Sequence, residues 1–159
     1  MHAVPVRHLV VDAAWWPAQP HPADLEGLAR AMAAGLSVTF VGPVMPGRTW
    51  PAGVQGIHGA DRDDAWKAWA RQSDASQPGS SIACWLGDGV PWPELAGLPV
   101  LWTPSDAHPE LLRRAHFQAS RPHDRGALRE VLDLWMTVHR RYAKDWEACP
   151  WAPQECGRD

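Results

Sequence analysis

The feature of this sequence that most constrains its fold is the alternation of short apolar runs with segments of helical periodicity. The apolar runs predict four strands, at residues 7–12, 36–41, 81–86 and 98–102. The spacing of apolar residues predicts helices at residues 61–72, 108–115 and 125–142, and from Pro22 up to a glycine stop at Gly35. Near-continuous apolar strands that alternate with helices are typical of a parallel sheet covered on both faces. The sequence therefore predicts an α/β fold, a Rossmann-like three-layer α/β/α sandwich with a mostly parallel sheet.

The length and composition predict one domain. The chain has 159 residues, 45% of them hydrophobic, which is enough to bury a core without disulfides or metal. We predict a single domain over residues 1–145 and an irregular C-terminal tail over residues 146–159. Three cysteines are too few for a disulfide framework, so a cytoplasmic location is expected. The net charge of −3 argues against nucleic-acid binding, and no apolar run approaches the ~20 residues that cross a membrane.

Three predicted strands end at residues that could form a site. Asp12 ends the first strand, Gly42 follows the second, and Asp88 follows the third. The carboxyl ends of parallel strands meet at one edge of a sheet, where α/β proteins bind their ligands. We therefore expect the two carboxylates to lie within reach of each other.

Two segments in the second half of the chain resemble a known family. Residues 105–109, Ser-Asp-Ala-His-Pro, and residues 125–134, Arg-Gly-Ala-Leu-Arg-Glu-Val-Leu-Asp-Leu, are similar to the C-terminal third of the 3-deoxy-manno-octulosonate 8-phosphate phosphatases. These phosphatases are small, capless members of the haloacid dehalogenase (HAD) superfamily, and the resemblance implies a HAD-like fold with no cap domain. Gly42 follows Asp12 by only 30 positions. This is roughly fifteen fewer than the family has, so the β-hairpin flap is expected to be shortened or missing.

The resemblance also implies a reaction, in which an aspartate attacks a phosphate monoester with the help of Mg²⁺. Asp12 matches this nucleophile. The other positions used by the family have mostly lost their functional groups: Ala14 stands at the general acid, Gly42 at the phosphate-binding Ser or Thr, Asp63 (or the nearby Arg62 or Lys67) at the lysine, and Gly89 beside the surviving Asp88. We expect no cofactor and at most weak Mg²⁺ binding by Asp12, the backbone carbonyl of Ala14 and Asp88.

The missing groups decide the predicted function. Loss of a general acid lowers a rate ~10²–10⁴-fold, and loss of one preorganised anion donor costs a further ~10²–10³-fold. We therefore predict a catalytically inactive pseudo-phosphatase that acts through protein–protein contacts, as a homo-oligomer or as the partner of a biosynthetic enzyme. Two alternatives stay open. One is a weak Mg²⁺-dependent phosphatase acting on a sugar-acid phosphate, with Asp63 or Asp64 as a substitute acid, and the other is a small-ligand binder.

The chain is unusually rich in tryptophan, with 11 residues. Trp66, Trp69 and Trp135 have the helical spacing of core residues. Four others follow strand ends, near the expected site: Trp15, Trp16, Trp50 and Trp92. These four either fill the vacated site and contact another subunit, which we favour, or line a ligand pocket.

The remaining candidate residues have structural explanations that we favour over functional ones. Arg125 and Arg129 match family positions for a subunit contact or a substrate carboxylate, but packing and salt bridging are expected here. His108 is predicted to start a helix, with Asp106 and Pro109 as its capping residues. Surface roles are expected for His21, His58 and His123, a buried position for Cys84, and positions in the tail for Cys149 and Cys156.

Overall fold

The computed structural model describes residues 6–43, 49–72, 82–88 and 100–143. The strands are β1 (His8–Asp12), β2 (Ser37–Pro43), β3 (Gln55–Gly59), β4 (Ile82–Trp85), β5 (Val100–Thr103) and β6 (Phe117–Gln118). The α-helices are α1 (Pro22–Ala33), α2 (Arg62–Gln72), α3 (Pro109–Arg114) and α4 (Ala127–Ala143), and a short 3-10 helix (Ala13–Trp15) follows β1. Outside the described residues lie the predicted tail, which includes Cys149 and Cys156, and also Gly89 and Trp92.

The six strands form one parallel sheet in the order β3-β2-β1-β4-β5-β6. The chain builds outward from β1 in one direction through β2 and β3, and then in the other direction from β4 to β6. The carboxyl ends of β1 and β4 therefore flank the point where the strand order reverses, which is where open α/β sheets bind ligands. The predicted fold class is confirmed.

Helices cover both faces of the sheet because side chains along each strand alternate between two cores. On one face, Leu9 and Val11 of β1 pack with Phe40 against residues of α1 and α4. On the other face, Val10 and Cys84 pack against residues of α2 and α3. The molecule is thus the predicted three-layer sandwich.

Two strands, β3 and β6, were not predicted from the sequence. The sequence of β3, Gln-Gly-Ile-His-Gly, contains two glycines and no fully buried side chain, because the strand lies at an edge of the sheet. The other edge strand, β6, has only two residues. Neither strand carries the apolar run that marks the buried strands.

The connection from β1 to α1 is short, as the sequence predicts. Residues 13–21 contain one turn of 3-10 helix and no strand. The β-hairpin flap that the resemblance implies at this place is therefore missing. No helix among the described residues is long and apolar enough to cross a membrane.

Two histidines begin helices. The Nδ1 atom of His21 accepts a hydrogen bond from the backbone N–H of Ala23 at 3.1 Å, and Pro22 follows it at the first helical position. His108 caps α3 in the same way, accepting from the N–H of Glu110 at 3.2 Å. The structural role expected of His108 thus corresponds to the observed contact, whereas His21 is a helix cap rather than a plain surface residue.

Candidate functional site

Asp12 is the centre of the candidate site. It ends β1, and the 3-10 helix begins directly after it, so that its Oδ1 accepts a hydrogen bond from the N–H of Ala14 at 3.2 Å. The Nε1–H of Trp66, on α2, reaches the same oxygen at 3.4 Å. The carboxylate is fully buried, with 0% of its surface exposed.

Arg62 joins the two carboxylates of the site. As the first residue of α2, it donates from Nε to Oδ1 of Asp12 at 3.4 Å, and its Nη2 contacts Oδ2 of Asp12 and Oδ1 of Asp88. The expectation that Asp12 and Asp88 lie within reach of each other is thus met through a shared guanidinium. The three side chains differ in exposure: Asp12 is fully buried, Arg62 is 24% exposed and Asp88 is 44% exposed.

The electrostatics of the site follow from this burial. Loss of hydration raises the pKa of Asp12 above its usual value, and the hydrogen bond and charge of Arg62 limit the rise. Burial would lower the pKa of Arg62, but Asp12 and then Asp88 outweigh it, so the net pKa of the guanidinium is raised. Arg62 therefore stays charged and supplies the main compensation for the buried carboxylate.

Close backbone packing positions the helix that carries Arg62. A Cβ atom added at Gly59, at the end of β3, would lie only 2.4 Å from the backbone nitrogen of Ala65. Glycine at this position lets α2 begin directly against the sheet. Asp61 precedes the helix, and its Oδ1 accepts the N–H of Asp64 at 2.8 Å, which satisfies a free donor of the first turn.

Gly42 has a packing explanation. A Cβ atom at this position would lie 2.7 Å from the Cβ of Ala13. The end of β2 and the 3-10 helix after β1 are therefore too close for a side chain. The hydroxyl that the resemblance implies at Gly42 has no room in this arrangement.

Trp15 fills space beside the site. A Cβ atom at Gly87 would lie 1.8 Å from the indole of Trp15, so the ring lies directly against the glycine backbone. The Trp15 ring also packs against the His123 ring in a T-shaped arrangement, with ring centroids 4.9 Å apart and an angle of 73° between the planes. His123 is held by Asp106, with Nδ1 and Oδ2 at 2.6 Å, so Asp106 orients this histidine rather than capping α3.

Of the other tryptophans near the strand ends, the structure describes Trp16 and Trp50, and neither joins Trp15 in a common pocket. Trp16 is a core residue with 4% exposure and packs edge-on against Phe40. Trp50 lies beyond Phe40 and stacks on His58, with ring centroids 4.4 Å apart. The ring of Trp16 thus belongs to the core under α1 and α4, and it presents no surface to a ligand or a partner in the way that the sequence left open.

Asp63, placed by the sequence at the lysine position of the family, is exposed on α2. Arg62, one residue earlier, reaches Asp12 instead. Lys67 and the suggested substitute acid Asp64 are also exposed. The sequence predicts the start of α2 within one residue, but it leaves the lysine position open among Asp63, Arg62 and Lys67 and favours Asp63.

Arg129 lies in the contact between α1 and α4. Its backbone N–H donates to the buried Asp24 at 2.8 Å, and its guanidinium contacts the carbonyl of Ala23 at 3.2 Å and Asp133 at 2.7 Å. These contacts agree with the packing and salt-bridging role favoured from the sequence. Arg125 is exposed in the turn before α4.

The side chains present do not fit a divalent cation between the strand ends as they stand. A magnesium ion prefers several oxygen ligands in octahedral array. Here Arg62 lies between the two carboxylates that would supply those oxygens. Within residues 6–43, 49–72, 82–88 and 100–143, no group of three or more His, Cys, Asp or Glu side chains could hold a metal.

Comparison with known proteins gives a clear answer for the fold. No family model matches the sequence, and no curated protein matches it either. Among solved structures, the 3-deoxy-D-manno-octulosonate 8-phosphate phosphatase of Yersinia pestis has a TM-score of 0.61 at 20% identity, over 87% of this chain and 84% of that chain. The phosphatase of Moraxella catarrhalis, solved with magnesium, phosphate and KDO, has a TM-score of 0.64 at 13% identity, over 86% and 89%.

A third structure names the superfamily. A protein of Legionella pneumophila assigned to HAD hydrolase subfamily III A has a TM-score of 0.62 at 19% identity, over 86% of this chain and 85% of that chain. The chain therefore has the α/β fold of the HAD hydrolases, as the resemblance implied. At these identities the likeness defines the fold, and the chemistry of the site must be argued from its own residues.

Proposed function

We propose that this protein is a non-hydrolytic member of the HAD fold, a pseudo-phosphatase that acts through contacts with other proteins. One observation carries the proposal. Arg62 pairs with both Asp12 and Asp88, while the residue two positions after Asp12 is the alanine Ala14. The carboxylate that would attack phosphorus is thus engaged, and no proton donor follows it.

The engagement of Asp12 weakens it as a nucleophile. Both of its oxygens accept hydrogen bonds, Oδ1 from Ala14 and Trp66 and Oδ2 from Arg62. A carboxylate stabilised by several donors must give up part of that interaction to form a bond to phosphorus. Its side chain is also fully buried, so a phosphate ester reaches it only if Arg62 moves.

The absence of an acid at Ala14 acts on a separate step. An alkyl leaving group needs a proton as its bond to phosphorus breaks, and a general acid contributes typically ~10²–10⁴-fold. Asp63 and Asp64 lie on α2 with exposed side chains. The residue of α2 that contacts Asp12 is Arg62. Neither acid stands where Ala14 stands.

A second candidate is a Mg²⁺-dependent phosphatase acting on a sugar-acid phosphate. The convergence of Asp12, Arg62 and Asp88 at the switch point of the sheet favours it. The solved neighbours also include phosphatases of 3-deoxy-D-manno-octulosonate 8-phosphate. With alanine at position 14, such an enzyme would act best on aryl phosphates, whose leaving groups need no proton.

A phosphatase assay separates the two candidates. We would measure hydrolysis of p-nitrophenyl phosphate and of a sugar-acid phosphate, with and without Mg²⁺, by the wild type and by Asp12→Asn purified in parallel. The proposal predicts equal background rates for the two proteins with both substrates. Mg²⁺-dependent turnover by the wild type that Asp12→Asn abolishes would establish the phosphatase and refute the proposal.

A further inference from the structure

We propose that the guanidinium of Arg62 is a built-in replacement for a divalent cation, so that this site excludes such ions as long as Arg62 is present. Removing the charge of Arg62 should then turn Asp12 and Asp88 into a divalent-cation site. The inference concerns the site of the proposed function and deepens it, but it is a statement about ion binding and is tested without turnover.

The contacts of Arg62 are those of a bridging cation. Its Nη2 contacts one oxygen of Asp12 and one of Asp88, and its Nε reaches the other oxygen of Asp12 at 3.4 Å. Arginine is suited to this position because its planar group presents several donors in fixed directions and stays charged when partly buried. The two carboxylates are thereby held around one positive group.

The positive charge of Arg62 opposes the binding of a divalent cation to the same two carboxylates. Asp12 and Asp88 together carry two negative charges, and Arg62 neutralises one of them. A divalent ion between the same oxygens would lie within a few ångströms of the guanidinium, where like charges repel strongly in a partly buried site. The ion therefore has to displace Arg62.

Displacement of Arg62 is opposed by the way the helix is fixed. Close packing of Gly59 against Ala65 holds the first turn of α2 beside the sheet. The side chain of Arg62 is only 24% exposed, and leaving the site would separate it from a fully buried partner. Breaking a buried ion pair by removing one partner is costly because it leaves an uncompensated charge.

A titration with Mn²⁺, followed by its paramagnetic resonance signal and by thermal unfolding, tests the inference on the full chain. The wild type is expected to show no saturable binding and no change in Tm. Arg62→Gln is expected to show saturable Mn²⁺ binding, at concentrations at least about tenfold below the highest at which the wild type shows none, and to gain Tm with added ion. The double variant Arg62→Gln/Asp88→Asn should lose most of that gain.

Controls keep the result clear. Arg129→Gln removes an arginine that is paired with Asp133, in the contact between α1 and α4, and should behave toward Mn²⁺ as the wild type does.

Should Arg62→Gln fail to fold, the titration of the wild type still tests whether the site excludes Mn²⁺. Saturable Mn²⁺ binding by the wild type that Asp88→Asn abolishes would overturn the inference, as would a folded Arg62→Gln that binds no Mn²⁺. Metal binding by the wild type without phosphatase activity would overturn this inference and leave the proposed function standing.

Discussion

At the scale of single residues, Asp12 is a buried charge that accepts hydrogen bonds from three residues. Ala14 and Trp66 contribute neutral hydrogen bonds, whereas Arg62 contributes the opposite charge. A buried carboxylate without a charged partner is strongly disfavoured. The stability of the folded protein should therefore depend on Arg62 for as long as Asp12 is ionised.

We predict that Arg62→Gln lowers the free energy of unfolding at neutral pH by about 2 kcal/mol. The pKa of Asp12, already raised by burial, should rise further in this variant. A raised native pKa means that protonation favours the folded state, so the loss relative to the wild type should shrink as the pH falls through that pKa. Urea unfolding at neutral and acidic pH measures both effects.

The matched test is a double-mutant cycle. In an Asp12→Asn background no buried charge depends on Arg62, so Arg62→Gln should cost little there. An equal loss of stability in both backgrounds would show that Arg62 acts through other contacts.

At the scale of elements, the α1–α4 contact contains a second buried acid. Asp24 is buried on α1, and its Oδ1 accepts the N–H of Arg129 in the first turn of α4. Its Oδ2 has no hydrogen-bond partner in the described part of the chain. Burial raises the pKa of Asp24, opposed by the bond from Arg129.

We expect Asp24→Asn to change how stability depends on pH. Asparagine keeps the acceptor for Arg129 and removes the buried charge. Because the pKa of Asp24 is higher in the native state than in the unfolded chain, the wild type should lose stability relative to Asp24→Asn as the pH rises through the interval between the two values. Urea unfolding across that interval tests this, and a gain by the wild type with rising pH would contradict it.

A second prediction at this scale concerns the close contact between the end of β2 and the 3-10 helix. Gly42→Ser introduces a side chain that meets the Cβ of Ala13, and we expect a loss of about 1–3 kcal/mol in the free energy of unfolding. Ala13→Gly in the same chain removes the opposing atom and should recover much of the loss. No recovery in Ala13→Gly/Gly42→Ser would show that Gly42 is needed for another reason.

The elements also show how far the sequence could predict the structure. Strands β1, β2, β4 and β5 are central and apolar, so their side chains identify them, whereas the edge strands β3 and β6 lack that signal. The residues of the site also divide into those that a local sequence pattern identifies and those that it does not. Asp12 and Asp88 could be predicted because they end buried strands, but the role of Arg62 depends on where β3 ends and on a contact 50 residues apart in the chain. Local patterns do not encode such a contact.

At the scale of the whole molecule, α4 offers a candidate contact for a homo-oligomer, one of the two kinds of protein contact predicted from the sequence. Leu134 and Val138 lie one turn apart on this helix and are 43% and 44% exposed, the two most exposed of the large apolar side chains that the structure describes. Leu25 of α1 is 39% exposed. Exposed apolar groups of this kind are often covered by another protein chain.

We predict that Leu134→Glu/Val138→Glu converts an oligomer into a 17.6 kDa monomer. Sedimentation equilibrium or light scattering measures the mass. Lys67→Glu, an exposed change on α2 at the other face of the sheet, serves as the control and should leave the mass unchanged. A monomeric wild type, or a double variant with the mass of the wild type, would contradict the prediction.

The central claim, that Arg62 holds the two carboxylates of a site without hydrolytic function, is tested most directly by a crystal structure of the protein soaked with Mg²⁺ and vanadate. We predict that Arg62 remains between Asp12 and Asp88 and that no vanadate is bonded to Asp12. An octahedral Mg²⁺ ion between the two carboxylates, with a five-coordinate vanadate on Asp12 and Arg62 displaced, would contradict the account.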